Sequence, residues 1–239
     1  MILLNVSEKG LQKTKFYGIK AVIFDLDNTL IDFMKMKRIS VEEAVDAMID
    51  AGLDIPKKKA LDILYKIYEE KGLEDPHIFQ KFLKKTTGSV DYRKLAYAIV
   101  AYRNARTGFL HPYPGTKRTL IKLKEKGLKL AVVSDAPKLK AWIRLVNMKI
   151  DDFFDVVVGL EDTGRAKPSR MPFRAAIKGL GVKASECLMV GDRPNRDIKG
   201  ARALGMKTCF AKYGFEEKEI GVKSDFVIEG IEELIKIIS

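Results

Sequence analysis

The stretch Ala21-Val22-Ile23-Phe24-Asp25-Leu26-Asp27-Asn28-Thr29 decides the fold. Its four consecutive apolar residues, too short a run for a helix, read as a strand buried on both faces. Two carboxylates follow immediately, Asp25 and Asp27. Charge placed at the end of a buried strand is unfavourable unless it is paired or bound to a cation. Sites in α/β proteins gather at the carboxyl ends of parallel strands, so this pair predicts a metal-assisted active site at that edge of a sheet.

Working outward, further short apolar runs ending in polar residues or glycine predict strands at 128–134, 156–159, 188–192, 207–211 and 226–228, besides 21–25 itself. Helical patterns fall between them, at 116–126 ending on Gly127, and at 138–146, 171–179, 197–204 and 231–238. Strands alternating with helices predict an α/β fold, a Rossmann-like parallel sheet covered on both faces. The segment 31–111 reads differently. It has no strand signal and carries amphipathic patterns at 40–51, 57–71, 75–85 and 91–105. Ser40 and Glu43 have capping-box spacing at the start of the first of these. The expected organisation is a discontinuous core of residues 1–30 and 112–239 with an all-helical cap at 31–111 as a lid. The stretch from His111 to Gly115 is the return hinge.

Composition narrows the function classes. Apolar residues at 46% exclude a disordered chain, and no apolar run approaches the roughly 20 residues of a spanning helix. The start, Met1 to Val6, is too short for a signal-peptide core, so a cytoplasmic protein is expected. Cys187 and Cys209 sit in apolar strand runs and read as core thiols. The net charge of +12 raises the possibility of nucleic-acid binding. Basic and acidic residues are interspersed along most helices, which fits a solvated charged surface, so no nucleic-acid partner is expected.

Four short elements stand at or just beyond expected strand ends: Asp25 to Thr29, Val132-Val133-Ser134-Asp135, Lys167-Pro168, and Gly191-Asp192 through Asp197. This set, in this order, resembles the haloacid dehalogenase-like (HAD) superfamily, in its phosphatase branch with a helical, C1-type cap. The resemblance covers nearly the whole chain. It implies an aspartyl-phosphate mechanism with Asp25 as nucleophile and Asp27 as acid and base. It also implies Mg2+ held by the Asp25 carboxylate, the Asp27 backbone carbonyl and Asp192.

The residues meet the same requirements chemically. A carboxylate can attack phosphorus as an oxygen nucleophile. A second carboxyl can protonate the leaving oxygen and later take a proton from water. Two anions facing each other need a cation, and magnesium binds through one or two carboxylates plus phosphate oxygens. Ser134 and Lys167 match the phosphate-binding positions, where fixed donors meet developing charge. Asp197 is expected to support the metal, or else to cap a helix N-terminus. Ser169-Arg170 follows the Lys-Pro pair where many relatives carry Asp-Pro, so the contact that positions Lys167 is the local departure.

The expected function is hydrolysis of a small phosphorylated metabolite by a monomer or homodimer with no membrane partner. The presence of Asp27 argues against a dehalogenase. Two alternatives are a phosphomutase of the beta-phosphoglucomutase type and a noncatalytic module that binds nucleic acid or a protein partner.

Overall fold

The computed structural model describes residues 16–214 and 222–238. Six strands, β1 (Ala21–Phe24), β2 (Lys129–Val133), β3 (Val156–Val158), β4 (Cys187–Gly191), β5 (Lys207–Ala211) and β6 (Phe226–Ile228), form one parallel sheet in the order β3-β2-β1-β4-β5-β6. Each lies within one residue of its expected bounds. Side chains of a strand alternate between faces, and the sheet uses both. Val22, Phe24, Leu130, Val132, Leu188 and Val190 join one apolar cluster. Ala21, Ile23, Ala131, Val133, Cys187 and Met189 join the other. Both cysteines are buried and free.

Strand β1 lies between β2 and β4, with Phe24 level with Val132 on one side and Val190 on the other. The chain turns to opposite flanks of the sheet after these two central strands, so a crevice opens at their carboxyl ends.

Between β1 and the hinge at Pro112 the chain forms four helices: α1 (Phe33–Asp50), α2 (Lys57–Lys71), α3 (Ile78–Thr87) and α4 (Tyr92–Phe109). They bury an apolar centre of their own that includes Val41, Met48, Leu64, Phe82 and Leu83. This is the inserted all-helical cap. The chain leaves and re-enters the core at one place, where Ile31 bridges Pro112 and the Tyr113 N–H donates to the Leu30 carbonyl at 2.9 Å.

The capping-box reading of Ser40 is corrected. Helix α1 begins at Phe33, with the Asp32 side chain accepting the Lys35 N–H at 3.0 Å. Ser40 lies inside the helix, buried, its hydroxyl donating to the Met36 carbonyl at 2.8 Å. Asp32 wins the cap because burying Phe33 and Met36 in the sheet-side core extends the helix towards the hinge. Asp91 does cap α4, accepting the Arg93 and Lys94 N–H groups.

Beyond the cap come α5 (Thr116–Glu125), α6 (Lys138–Met148), α7 (Leu160–Thr163) and α8 (Arg170–Leu180). The helix expected at 197–204 is a wide π turn, Pro194–Ile198, followed by the short helix Lys199–Arg202. The one expected at 231–238 is a 3-10 turn, Ile231–Glu233, followed by Leu234–Ile237. Residues 1–6, on which the expectation about a leader rested, lie outside the described residues. Among the described residues no helix is long and apolar enough to cross a membrane.

One cap residue makes stability depend on pH. Lys37 is buried, its ammonium donating to the Leu73 carbonyl at 2.8 Å and the Tyr102 hydroxyl at 3.0 Å and lying 4.3 Å from the centre of the Tyr68 ring. Burial pulls its pKa from the ordinary 10.5 down to about 8, with Glu74 opposing. Between those values the unfolded chain holds a proton that the folded chain has released, so stability rises with pH. Relative to Lys37→Met, the wild type should gain up to about 3 kcal/mol between the two pH limits. Urea unfolding of both proteins at each pH measures this, and parallel pH profiles would contradict it.

Candidate active site

The site is built on the ends of β1, β2 and β4. The Asp25 N–H donates to the Val190 carbonyl at 2.9 Å, extending the sheet ladder by one bond before the chain turns away. Asn28, in the left-handed region with φ of 58°, helps make that turn. Its side-chain oxygen accepts the Met34 N–H at 3.1 Å, anchoring the first turn of α1. Thr29, fully buried, donates its hydroxyl to Asp192 at 3.3 Å and so ties the β1 loop to the end of β4.

Lys167 gathers the carboxylates. Its ammonium lies 2.6 Å from Asp25 Oδ1 and 2.7 Å from Asp197 Oδ1, and donates to the Val133 carbonyl at 3.0 Å. The side chain is wholly buried. Its backbone N–H donates to Asp135 at 2.9 Å, while Ser169 caps α8 by accepting the Met171 N–H. These contacts position the lysine where the sequence departs from the usual Asp-Pro. Burial pulls the ammonium down, but Asp197 and Asp25 outweigh it and hold its pKa well above the ordinary lysine value.

Asp197 is fully buried within its π turn and accepts the Arg193 N–H at 3.0 Å. Gly191 makes room for it, since a Cβ there would sit 2.5 Å from the Asp197 carboxyl carbon. Asp197 therefore stabilises its own turn and also meets Lys167, which is more than a helix cap does. Asp25, Asp192 and Asp197 each place a carboxylate oxygen within 4.8 Å of the others. Burial, then the charges of Asp25 and Asp197, push the Asp192 carboxyl far above the ordinary range. Burial also raises Asp197, against the pull of Lys167. Three converging buried carboxylates facing one ammonium form a donor set that fits a hard divalent cation.

Asp27 lies outside that cluster. Its Oδ2 accepts from Arg144 at 3.0 Å, and its Oδ1 is buried without a hydrogen-bond partner. Burial pushes its carboxyl up to about 6, against the pull of Arg144. Asp25, Asp27 and Ser134 line a pocket of about 150 Å³, and Phe33, Met34 and Leu73 close it from the cap side. Ser134 is buried, its Oγ accepting the Ala136 N–H at 3.1 Å. Phe33 and Arg193 also line this pocket. Lys35 and His111 line a separate cavity at the hinge, and Arg103 lines one within the cap.

Comparison with known proteins identifies the family. A sequence model of the haloacid dehalogenase-like hydrolases matches residues 19–205. The chain belongs to this family. It is 39% identical over 221 residues to a glyceraldehyde 3-phosphate phosphatase of Methanocaldococcus jannaschii, covering 92% of this chain and 97% of the relative. A Pyrococcus abyssi protein of the same name is 36% identical, with 82% of each chain covered. Among solved structures, a HAD phosphatase of Thermococcus onnurineus superposes with a TM-score of 0.67 at 28% identity, covering 92% of this chain and 97% of that one.

In this haloacid dehalogenase-like hydrolase the residues singled out from sequence meet at one place, and several that were not singled out join them. Arg196 lines the pocket and pairs with Asp135. Arg144 contacts Asp27, and Glu74 of the cap contacts Arg144. A signal for Arg144 exists in the sequence, because it shares the buried stripe of α6 with Ala141, Leu145 and Met148. A lone charge on an apolar stripe implies a buried partner.

Removing the lysine should leave Asp25 and Asp197 buried against each other. Lys167→Met is expected to destabilise the fold by about 3–5 kcal/mol in urea unfolding at neutral pH with divalent ions chelated. A loss below about 1 kcal/mol, the range of an exposed ion pair, would contradict the described packing.

Proposed function

We propose that this hydrolase is a magnesium-dependent phosphatase that acts through an aspartyl-phosphate intermediate, with glyceraldehyde 3-phosphate as its substrate. The observation that carries the reading is the setting of Asp25. Among the described residues both groups that meet its carboxylate, the Lys167 ammonium and the Leu26 N–H at 2.8 Å, meet Oδ1. Oδ2 is the oxygen left to attack. The choice of a three-carbon ester rests on the named relatives and on the small pocket.

In this reading Asp25 Oδ2 attacks phosphorus as the bond to the ester oxygen breaks, and Asp27 gives that oxygen its proton. Water then attacks the phosphorylated Asp25 and gives its proton to Asp27. Inorganic phosphate leaves, and both carboxyls return to their starting states. The Ser134 hydroxyl contacts the transferred group, and Lys167 holds Asp25 in place while supplying positive charge behind it. The Asp25 carboxylate, the Asp27 carbonyl and Asp192 would hold the metal, with Asp197 in support. Bound magnesium supplies the charge that lets an anionic nucleophile meet an anionic ester. The cap closes the pocket against water.

With Mg2+, the enzyme should release phosphate from glyceraldehyde 3-phosphate at least about ten times more efficiently than from hexose phosphates or pyrophosphate, a difference within reach of pocket contacts. Formation of an isomeric sugar phosphate without phosphate release would favour a mutase. Asp25→Asn should lower kcat by at least about 10³-fold while the protein remains folded. Turnover surviving that change would remove Asp25 as nucleophile.

Mg2+ should also raise thermal stability in a concentration-dependent way, adding about 2.7 kcal/mol at a hundred times its Kd. Asp192→Asn is expected to abolish most of this gain. An equal gain in wild type and variant, followed by thermal melts across a Mg2+ titration, would place the ion elsewhere.

A further inference from the structure

Resting on the phosphatase reading, we propose that Arg144 is a positioning residue that holds the Asp27 carboxylate towards the reaction pocket and ties its orientation to the cap through Glu74. Arg144 is among the most buried side chains of the protein. A guanidinium is not taken out of water without partners, so the identity of its partners is informative. Nη1 donates to Asp27 Oδ2 at 3.0 Å, within the core, and Nη2 pairs with Glu74, in the cap loop between α2 and α3. The ring of Phe33, the first residue of α1, lies 4.5 Å from the guanidinium carbon. One planar cation thus joins the pocket, the hinge side of the cap and a cap loop.

The geometry separates the two oxygens of Asp27. Oδ2 is held by Arg144, and Oδ1 is buried without a partner in a residue that lines the pocket. The side chain as a whole keeps 26% of its surface exposed, so a leaving ester oxygen can reach the carboxyl from the pocket it lines. Glu74 is held a second time by Lys140, one turn before Arg144 on α6, at 2.5 Å. The cap loop is therefore gripped by two cations of a core helix, and one of these also holds Asp27. A forked guanidinium can serve two carboxylates at fixed angles, which a lysine cannot reproduce. Displacement of the cap removes one arm of the fork and frees Arg144 to turn, taking Asp27 with it.

An ester that needs a protonated leaving group separates this role from a general structural one. On glyceraldehyde 3-phosphate, Arg144→Met should lower kcat about 10²-fold, the scale of acid-base catalysis, with KM changed by less than about threefold. First-turnover release of 4-nitrophenolate from its phosphate ester, which departs without protonation, should fall by less than about threefold. Arg144→Lys should recover part of the loss, and Glu74→Gln should show a smaller loss of the same selectivity. In an Asp27→Asn background, Arg144→Met should add less than about twofold, since the arginine acts through that carboxylate.

Equal losses on both esters, a change confined to KM, or full additivity with Asp27→Asn would overturn the proposal. If Arg144→Met does not fold, the Glu74→Gln comparison decides alone: an ester-selective loss of kcat supports the proposal, and an unselective effect overturns it. A wild type that released phosphate from neither ester would overturn the phosphatase reading, and this inference with it. An active wild type with unselective variants overturns the inference alone.

Discussion

The site depends on the ammonium of Lys167. Parallel β1 and β4 bring their carboxyl ends together, and the sequence puts an aspartate at each, with Asp197 folded in behind. Without a cation among them, three buried carboxylates would repel one another and take up protons. Lys167 pairs with Asp25 and Asp197 and donates to the Val133 carbonyl. That one group bonds the loop after β1, the end of β2 and the turn after β4. The sheet brings these elements close, and the lysine fixes their spacing.

The same constraint explains why small details around the lysine matter. Gly191 lacks a side chain because the Asp197 carboxyl fills the space one would take. Ser169 caps α8 by accepting the Met171 N–H, and two residues earlier the Lys167 backbone is anchored by Asp135. The acid beside this cluster is controlled separately. Asp27 looks away from Lys167 towards Arg144, so two neighbouring aspartates two positions apart have different electrostatic surroundings.

Much of this was legible in the chain because it is written locally. Short β-rich runs bounded by polar residues give all six strands, since a doubly covered parallel strand needs continuous apolar sequence. Asp25, Ser134 and Asp192 directly follow strands, while Lys167 comes after α7 and Asp197 sits in the turn beyond β4; each stands in a short linear motif that can be read locally. What escaped depends on distance or on competition. Arg144 meets Asp27 across 117 positions and Glu74 across 70, and no local pattern encodes such partners. Ser40 with Glu43 makes a credible capping box, but Asp32 offers an earlier cap and the burial of Phe33 and Met36 decides between them. The turn at 194–198 takes a π form where α periodicity was expected, and it points Asp197 inward to Lys167.

The place where the cap joins the core has a wider consequence. Outgoing and returning chains run side by side, with Ile31 bridged to Pro112 and Tyr113 bonded to Leu30. To the sheet, everything between them is a single closed excursion. The entropy of closing such a loop grows only with the logarithm of its length, so lengthening, shortening or rewriting the excursion places little strain on strand register. The carboxylate cluster and the wall that faces it can therefore diverge at different rates. Exchanging the excursion between relatives at these two crossings is a direct route to redirecting the enzyme, provided the exchanged piece brings a carboxylate to meet Arg144.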